Sequence, residues 1–391
     1  MNAFTKYSLF LLAVALICGC SGEGATNTEL ARAEETVTAI YSHYSVPGNF
    51  LMRENWPPDK DYKAGYLASE AQKANPYSYL WPFSGSLSAI SAIMESAPEY
   101  ADTLTGRVLP GLKEYLDTGH APAAYSSYIN TAPESDRFYD DNIWLGIDFT
   151  DLYGLTGDKE YLDKAEMIWK FIESGTDDVL GGGIYWCEQK KHSKNACSNA
   201  PGAVLALKLH LATGKEEYLA QGKDLYDWTF RTLRDSTDNL YFDNINLEGR
   251  ITDWKFAYNS GQMIQAGVLL YDITGEQDYL EQARKTARAC YVHFFEDFTT
   301  PDGRQIKVLK PGNTWFHAVM VRGLIQLYKA DGNPEYIDAV KASADAAWEY
   351  SRTPEGLFND DCSGRRQDER HWLLTQWAMA EIYARLAALQ L

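Results

Sequence analysis

Apolar positions in this chain recur at helical spacing, and the helical runs come in repeating pairs. Apolar side chains in 143–153 follow a helical period, and the run closes at Gly157, a residue suited to the left-handed turn that ends helices. A short acidic turn follows, then a second run over 161–171 that begins Tyr161-Leu162. The junction Thr156-Gly157-Asp158-Lys159-Glu160-Tyr161-Leu162 returns as Thr213-Gly214-Lys215-Glu216-Glu217-Tyr218-Leu219 and as Thr274-Gly275-Glu276-Gln277-Asp278-Tyr279-Leu280. Weaker copies are Asp331-Gly332-Asn333-Pro334-Glu335-Tyr336-Ile337 and Ala97-Pro98-Glu99-Tyr100. The five tyrosines are spaced alternately by 61 and 57 residues. Each unit is therefore predicted to be two helices joined by a tight loop, with a longer loop leading to the next unit.

The five units, together with a helix over 29–44 paired with one over 84–96, predict six helical hairpins. An open solenoid would need polar faces on its terminal units. The last helix, over 372–388, is instead rich in Leu, Ala and Trp, as a helix packed against the first units would be. The expected fold is all-α: an (α/α)6 barrel, or toroid, forming one domain over 31–391, with the long loops gathered into a groove at one end. Strand-like alternation is confined to 180–186 and 240–243, which read as small hairpins within loops.

The amino terminus is of a different kind. Lys6 is the only charged residue before Cys20, and the apolar run from Tyr7 to Ile17 is far shorter than the roughly 20 residues a spanning helix needs. Residues 1–19 read as a lipoprotein signal peptide, with Cys20 as the lipidated first residue and 20–30 as a flexible tether. A lipid anchor on the bacterial cell envelope is the expected membrane attachment. Four further cysteines remain; Cys187 and Cys197 are the pair close in sequence, open to either a bridge or two buried thiols.

Composition excludes some functions and suggests another. The formal net charge of −18 leaves no basic footprint for nucleic acid. The 11 Trp and 26 Tyr suit a groove that stacks the apolar faces of sugar rings. No pattern calls for a cofactor or metal, since the cysteines lack nearby histidines and no phosphate-cradling loop, hydrolase elbow or metalloprotease helix is present.

The strongest candidate chemistry is in Phe138-Tyr139-Asp140-Asp141-Asn142-Ile143-Trp144-Leu145, two adjacent aspartates at a helix entrance among aromatics. Such a pair also makes a good helix cap, and Asp177-Asp178 is a second pair of this kind. Retaining glycoside hydrolysis requires two carboxylates about 5–5.5 Å apart, and neighbouring residues, with Cα atoms about 3.8 Å apart, can reach that separation. An inverting pair would need room for an intervening water.

Other loop-to-helix junctions repeat aromatic and amide residues: Gly181-Gly182-Gly183-Ile184-Tyr185-Trp186, Lys194-Asn195-Ala196-Cys197-Ser198-Asn199, Phe256-Ala257-Tyr258-Asn259-Ser260-Gly261 and Asn313-Thr314-Trp315-Phe316-His317. In the first three of these and in the Asp140-Asp141 segment, the chain resembles glycoside hydrolase family 76, the endo-α-1,6-mannanases, over residues 35–385. The resemblance implies an (α/α)6 barrel, retaining cleavage inside α-1,6-linked mannan, no required metal, and α-mannan polysaccharide or oligosaccharide as partner. It also implies Asp140 as nucleophile, Asp141 as acid and base, and substrate contact or site support from Trp144, Trp186, Asn195, Asn199, Tyr258 and Asn259. Cys187 and Cys197 depart from the family pattern. Rival readings are another sugar-active enzyme of this fold, such as an unsaturated uronide hydrolase, and a glycan-binding surface protein without activity.

Overall fold

A computed structural model describes residues 27–64, 75–133 and 135–389. The proposed signal peptide and Cys20 lie outside them. Twelve helices dominate the described residues. Six form an inner ring: α2 (Leu80–Met94), α4 (Tyr139–Thr156), α6 (Ala196–Thr213), α8 (Ala257–Thr274), α10 (Thr314–Asp331) and α12 (Leu373–Ala388). Outside them stand α1 (Thr28–Tyr44), α5 (Lys159–Glu173), α7 (Glu216–Leu233), α9 (Gln277–Phe294) and α11 (Glu335–Ala346, prolonged by a π turn, Ala347–Ser351). The remaining outer helix, α3, runs through the successive segments Pro98–Tyr100, Ala101–Thr103, Leu104–Val108 and Leu109–Lys113. Each inner helix packs on the next, and α12 returns to α2, so the ring is closed as expected.

The two sets differ in sequence for a physical reason. Inner helices touch neighbours on every side, and all side chains of α8 from Ala257 to Leu270 are buried. Outer helices bury a stripe: α7 buries Tyr218, Gly222, Leu225, Tyr226, Thr229 and Leu233 and leaves its opposite face to water. The repeated junction works as predicted. Gly157, Gly214, Gly275 and Gly332 close α4, α6, α8 and α10 in the left-handed region, with φ between 70° and 76°, and each N–H reaches the carbonyl four residues back.

Two expectations change. The first helix pairs with α12, not with the helix at 84–96; that one is α2, whose hairpin partner is α3. Residues 28–30, expected in the tether, belong instead to α1, which starts at Thr28. Asn27 accepts from Leu30 N, and its Nδ2 donates to Ala387 O at 3.1 Å, tying the first helix to the last. The ring is thus closed by the last helix packing on the first, as its apolar composition leads us to expect, while the pairing of α1 with α12 as one hairpin is not foreseen in the sequence.

Strands occur in the loops. β1 (Asn55–Trp56) pairs with β9 (His371–Trp372), β2 (Leu116–Asp117) with β3 (Ala124–Tyr125), and β7 (Phe295–Thr299) with β8 (Gln305–Leu309). β4 (Ser193–Asn195), β5 (Phe242–Asn246) and β6 (Ile251–Lys255) form one antiparallel sheet, so the expected strand at 240–243 belongs to three strands and is shifted toward its end. Residues 180–186 form no hairpin. A 3₁₀ turn, Val179–Gly181, opens the segment, and isolated bridges hold Ile184 and Tyr185, because Lys194 draws the carbonyls of this loop inward around its ammonium. The β7–β8 hairpin had no counterpart in the sequence reading.

Midway along the inner helices, the ring encloses charge. Arg322 on α10 holds Glu381 on α12 through Nε to Oε1 at 2.6 Å and Nη2 to Oε2 at 3.0 Å, and its Nη1 reaches Asp148 of α4 at 3.2 Å. All three are buried. Burial pushes Glu381 up, but Arg322 and Arg385 outweigh it and hold its carboxyl at about 2.

Candidate active site

The amino ends of the inner helices open on a cavity of about 170 Å³ lined by Trp81, Phe138, Asp140, Asp141, Trp144, Trp186, Tyr258, Trp315 and Phe316. The repeat explains which residues arrive there. Asp140, Cys197, Tyr258 and Trp315 each stand 17 residues before the closing glycine of their helix, at its second position, and Trp81 is the second residue of α2. Registering the copies on their glycines is therefore a sequence signal that would have found Trp315 and Cys197. Trp81 was missed because its unit lacks that glycine.

The Asp140-Asp141 pair is not a helix cap. Phe138 occupies the cap position of α4 and makes no side-chain cap bond, while both aspartates lie in the first turn. The segment around 184–188 runs antiparallel against 137–139, with Tyr139 N bonded to Trp186 O at 3.0 Å and Phe138 bridged to Cys187. This pairing brings the Trp186 indole to Asp140, where Nε1 donates to Oδ2 at 3.2 Å. Oδ1 of Asp140 is buried and has no N–H or O–H donor from another side chain among the described residues.

Both carboxyls hold their protons more tightly than usual. Burial raises Asp140 to about 6, opposed by the Cys197 thiol and the Trp186 indole. Burial and the adjacent charge of Asp140 raise Asp141 well above the ordinary carboxylate range. Asp177 of the second pair behaves oppositely. Against the upward push of burial, the Lys194 ammonium (2.7 Å) and Tyr185 hydroxyl (2.7 Å) hold Asp177 below its usual value. One adjacent pair is therefore poised for proton transfer, and the other is a structural anchor.

Aromatic rings wall the cavity. Trp144 meets Trp315 edge-on at 5.0 Å, Trp81 meets Trp315 at 5.4 Å, and Tyr258 stacks on Phe316 at 4.0 Å with planes 2° apart. The buried Nε1 of Trp315 has no partner among the described residues, a donor that a ligand oxygen would satisfy. A third carboxyl, Asp243, stands near Cys197 and Tyr258 and is raised chiefly by burial. Among the described residues no cluster of His, Cys, Asp and Glu could hold a metal ion.

Of the residues expected to meet substrate, Trp144, Trp186 and Tyr258 line the cavity, whereas Asn195, Asn199 and Asn259 do not. Asn199 spends its amide on backbone: Oδ1 accepts Ile184 N at 2.7 Å, and Nδ2 donates to Ile184 O and Asn195 O. Fourth residues of other inner helices do the same, Asn142 for Tyr125, Ser260 for Tyr241 and Gln376 for Phe358. These amides and hydroxyls fasten each long loop to its helix. Asn195 is the cap residue of α6 and accepts from Ser193 Oγ, and Asn259 is fully buried next to Asp243. Cys187 and Cys197 are both free thiols.

Comparison with known proteins points in one direction. The model of glycosyl hydrolase family 76 matches residues 60–384. A family 76 mannosidase from Bacteroides thetaiotaomicron superposes with a TM-score of 0.84 at 33% identity, covering 93% of this chain and 99% of that one. An α-1,6-mannanase from Salegentibacter superposes with a TM-score of 0.71 at 27% identity over 92% and 99% of the two chains. A variant of that enzyme, inactivated by replacing two consecutive aspartates with asparagine, is known in complex with α-1,6-mannotriose. The mannan endo-1,6-alpha-mannosidase of Candida albicans is 25% identical over 146 residues, 35% of this chain, and the match spans only about a third (32%) of the fungal protein's length.

Proposed function

Since the chain belongs to glycosyl hydrolase family 76, we propose that it cleaves α-1,6-mannosidic linkages within mannan chains with retention of configuration, Asp140 serving as nucleophile and Asp141 as acid and base. The observation that carries this reading is the adjacent pair, both members half-buried at one aromatic cavity and both shifted upward, Asp141 further than Asp140. In the first step ionised Asp140 attacks the anomeric carbon through the oxygen that lacks a side-chain N–H or O–H donor, while Trp186 steadies the other. Asp141 gives its proton to the departing glycosidic oxygen. The sugar is then joined to Asp140 as an ester, and Asp141, now ionised, takes a proton from the water that hydrolyses it. Trp144, Trp186 and Tyr258 offer ring faces to the apolar sides of mannose.

A uronide substrate fits the site poorly, because the carboxyls at this cavity would repel its negative charge and no Lys or Arg among the described residues lines it. The test is hydrolysis of linear α-1,6-mannan, β-mannan and uronide oligomers by the wild type, D140N and D141N. Internal cleavage of the α-linked polymer alone, reduced about 10²–10⁴-fold in D141N and at least as much in D140N, supports the reading. Unchanged cleavage in D140N would remove Asp140 from the nucleophile role. Binding without cleavage by the wild type would favour the glycan-capturing alternative.

We further propose that Cys20 carries a lipid holding the enzyme to the cell envelope. The support is the short apolar run ending at Cys18-Gly19-Cys20, together with an α1 that begins only eight residues beyond Cys20. Among the described residues no helix is long and apolar enough to cross a membrane. Mass spectrometry of the mature amino terminus and detergent partitioning of C20A test the anchor; a water-soluble wild type would reject it.

A further inference from the structure

Of the eleven tryptophans in the chain, Trp254 alone is exposed, at 64%. It stands on β6, immediately before the α8 junction that delivers Tyr258 to the cavity. No hydrogen bond engages its Nε1, and its one ring neighbour among the described residues is Phe256, edge-on at 6.2 Å. Phe256 in turn lies 6.1 Å from Tyr258 and 5.4 Å from Phe316, both of which line the cavity. A connected series of rings therefore runs from beside Asp140 and Asp141, through Tyr258 and Phe256, to a bare indole beyond the cavity.

A lone exposed apolar residue is ordinary on a protein surface. What separates Trp254 from Val292 or Leu211, which are similarly exposed, is this continuity with the site and a flat face suited to a pyranose ring. The three-stranded sheet also fixes the platform: β6 pairs with β5, and β5 with β4, the strand leading into α6. Lys255, next in sequence, is held by Asp235 and Asp238, so the strand is pinned at its junction with α8.

We propose that Trp254 is a distal sugar-stacking platform, one that receives a mannose residue of the same chain outside the cavity and makes the enzyme favour long substrates. The proposal rests on the reading of the site as a mannan hydrolase. A chain long enough to reach Trp254 gains the stacking interaction, and a shorter one leaves the indole in water.

The experiment measures kcat/KM for α-1,6-linked manno-oligosaccharides of increasing length with the wild type, W254A and W254F, with thermal melting to confirm folding. In wild type kcat/KM rises with length. In W254A that rise is cut roughly three- to tenfold for the longer chains, while W254F keeps most of it. A parallel titration of D140N protein, with and without W254A, follows binding of the same oligosaccharides by calorimetry, with affinity falling only for those long enough to reach the platform. Loss of the same factor at every length, or an unchanged length profile, overturns the platform. If wild type cleaves none of the α-1,6 series, the reading of the site falls. A length-dependent effect of W254A on binding to D140N would still uphold Trp254 as a glycan contact.

Discussion

The indole Nε1 of Trp186 donates to Oδ2 of Asp140 at 3.2 Å across 46 residues of sequence, and this bond orients the carboxylate assigned to attack. It also favours the charged form of Asp140. Replacing Trp186 by Phe keeps the ring beside Phe138 but removes the donor. The expected result is a fall in kcat of roughly 10-fold or more, with the acid limb of the pH profile moved to higher pH. An acid limb that stays in place would show that the indole does not tune Asp140.

The two shifted carboxyls set the shape of that profile. With the proposed roles, Asp140 acts ionised and Asp141 protonated, so kcat/KM should rise as pH passes through about 6 and fall at higher pH as Asp141 loses its proton. Stability responds with the opposite sign on the acid side. The folded protein holds a proton on Asp140 that the unfolded chain releases near the ordinary carboxylate value, so this group's contribution to stability is lost as pH rises from that value through about 6. Denaturation of wild type and D140N across this window measures it, and the difference between them should shrink toward low pH.

Lys194 is fully buried, and its ammonium meets Asp177 Oδ1 at 2.7 Å, Val179 O at 2.8 Å and Gly182 O at 2.7 Å. It thereby fixes the loop that ends at Trp186. K194M keeps the stem but removes the donor of these oxygens; Asp177 and Val179 are exposed residues whose oxygens water can reach, so the cost is about 1–3 kcal/mol in all. Lower thermal stability together with reduced kcat is expected. Reduced stability with unaltered kcat would separate the loop from the chemistry.

Midway along the inner helices, R322M takes from Asp148 and Glu381 their shared cation and leaves Arg385 as the remaining partner of Glu381. Breaking a buried pair from one side costs about 3–5 kcal/mol, measurable by denaturant unfolding. The double variant R322M/D148N should recover much of this loss, since Glu381 keeps Arg385 and the charge left unpaired is that of Asp148.

Much of this molecule is written locally. The Thr-Gly…Tyr-Leu repeat determines where one helix ends and the next begins, because a closing glycine and an amphipathic period act within a few residues. The repeat also places Asp140 at the start of an inner helix, and the adjacency of Asp140 and Asp141 limits how far apart two carboxyls can stand. What tertiary structure decided depends on neighbours far along the chain. The first helix pairs with the last, with Asn27 meeting Ala387 across 360 positions. Asn199, expected from the resemblance to give substrate contact or site support, spends its amide on the backbone of Ile184. The two Asp-Asp pairs look alike in sequence, yet one stands half-buried among aromatic rings and the other is anchored through Asp177 by an ammonium. A carboxyl's proton affinity is set by the water it loses and the charges it gains, and both come from the packing of the closed ring.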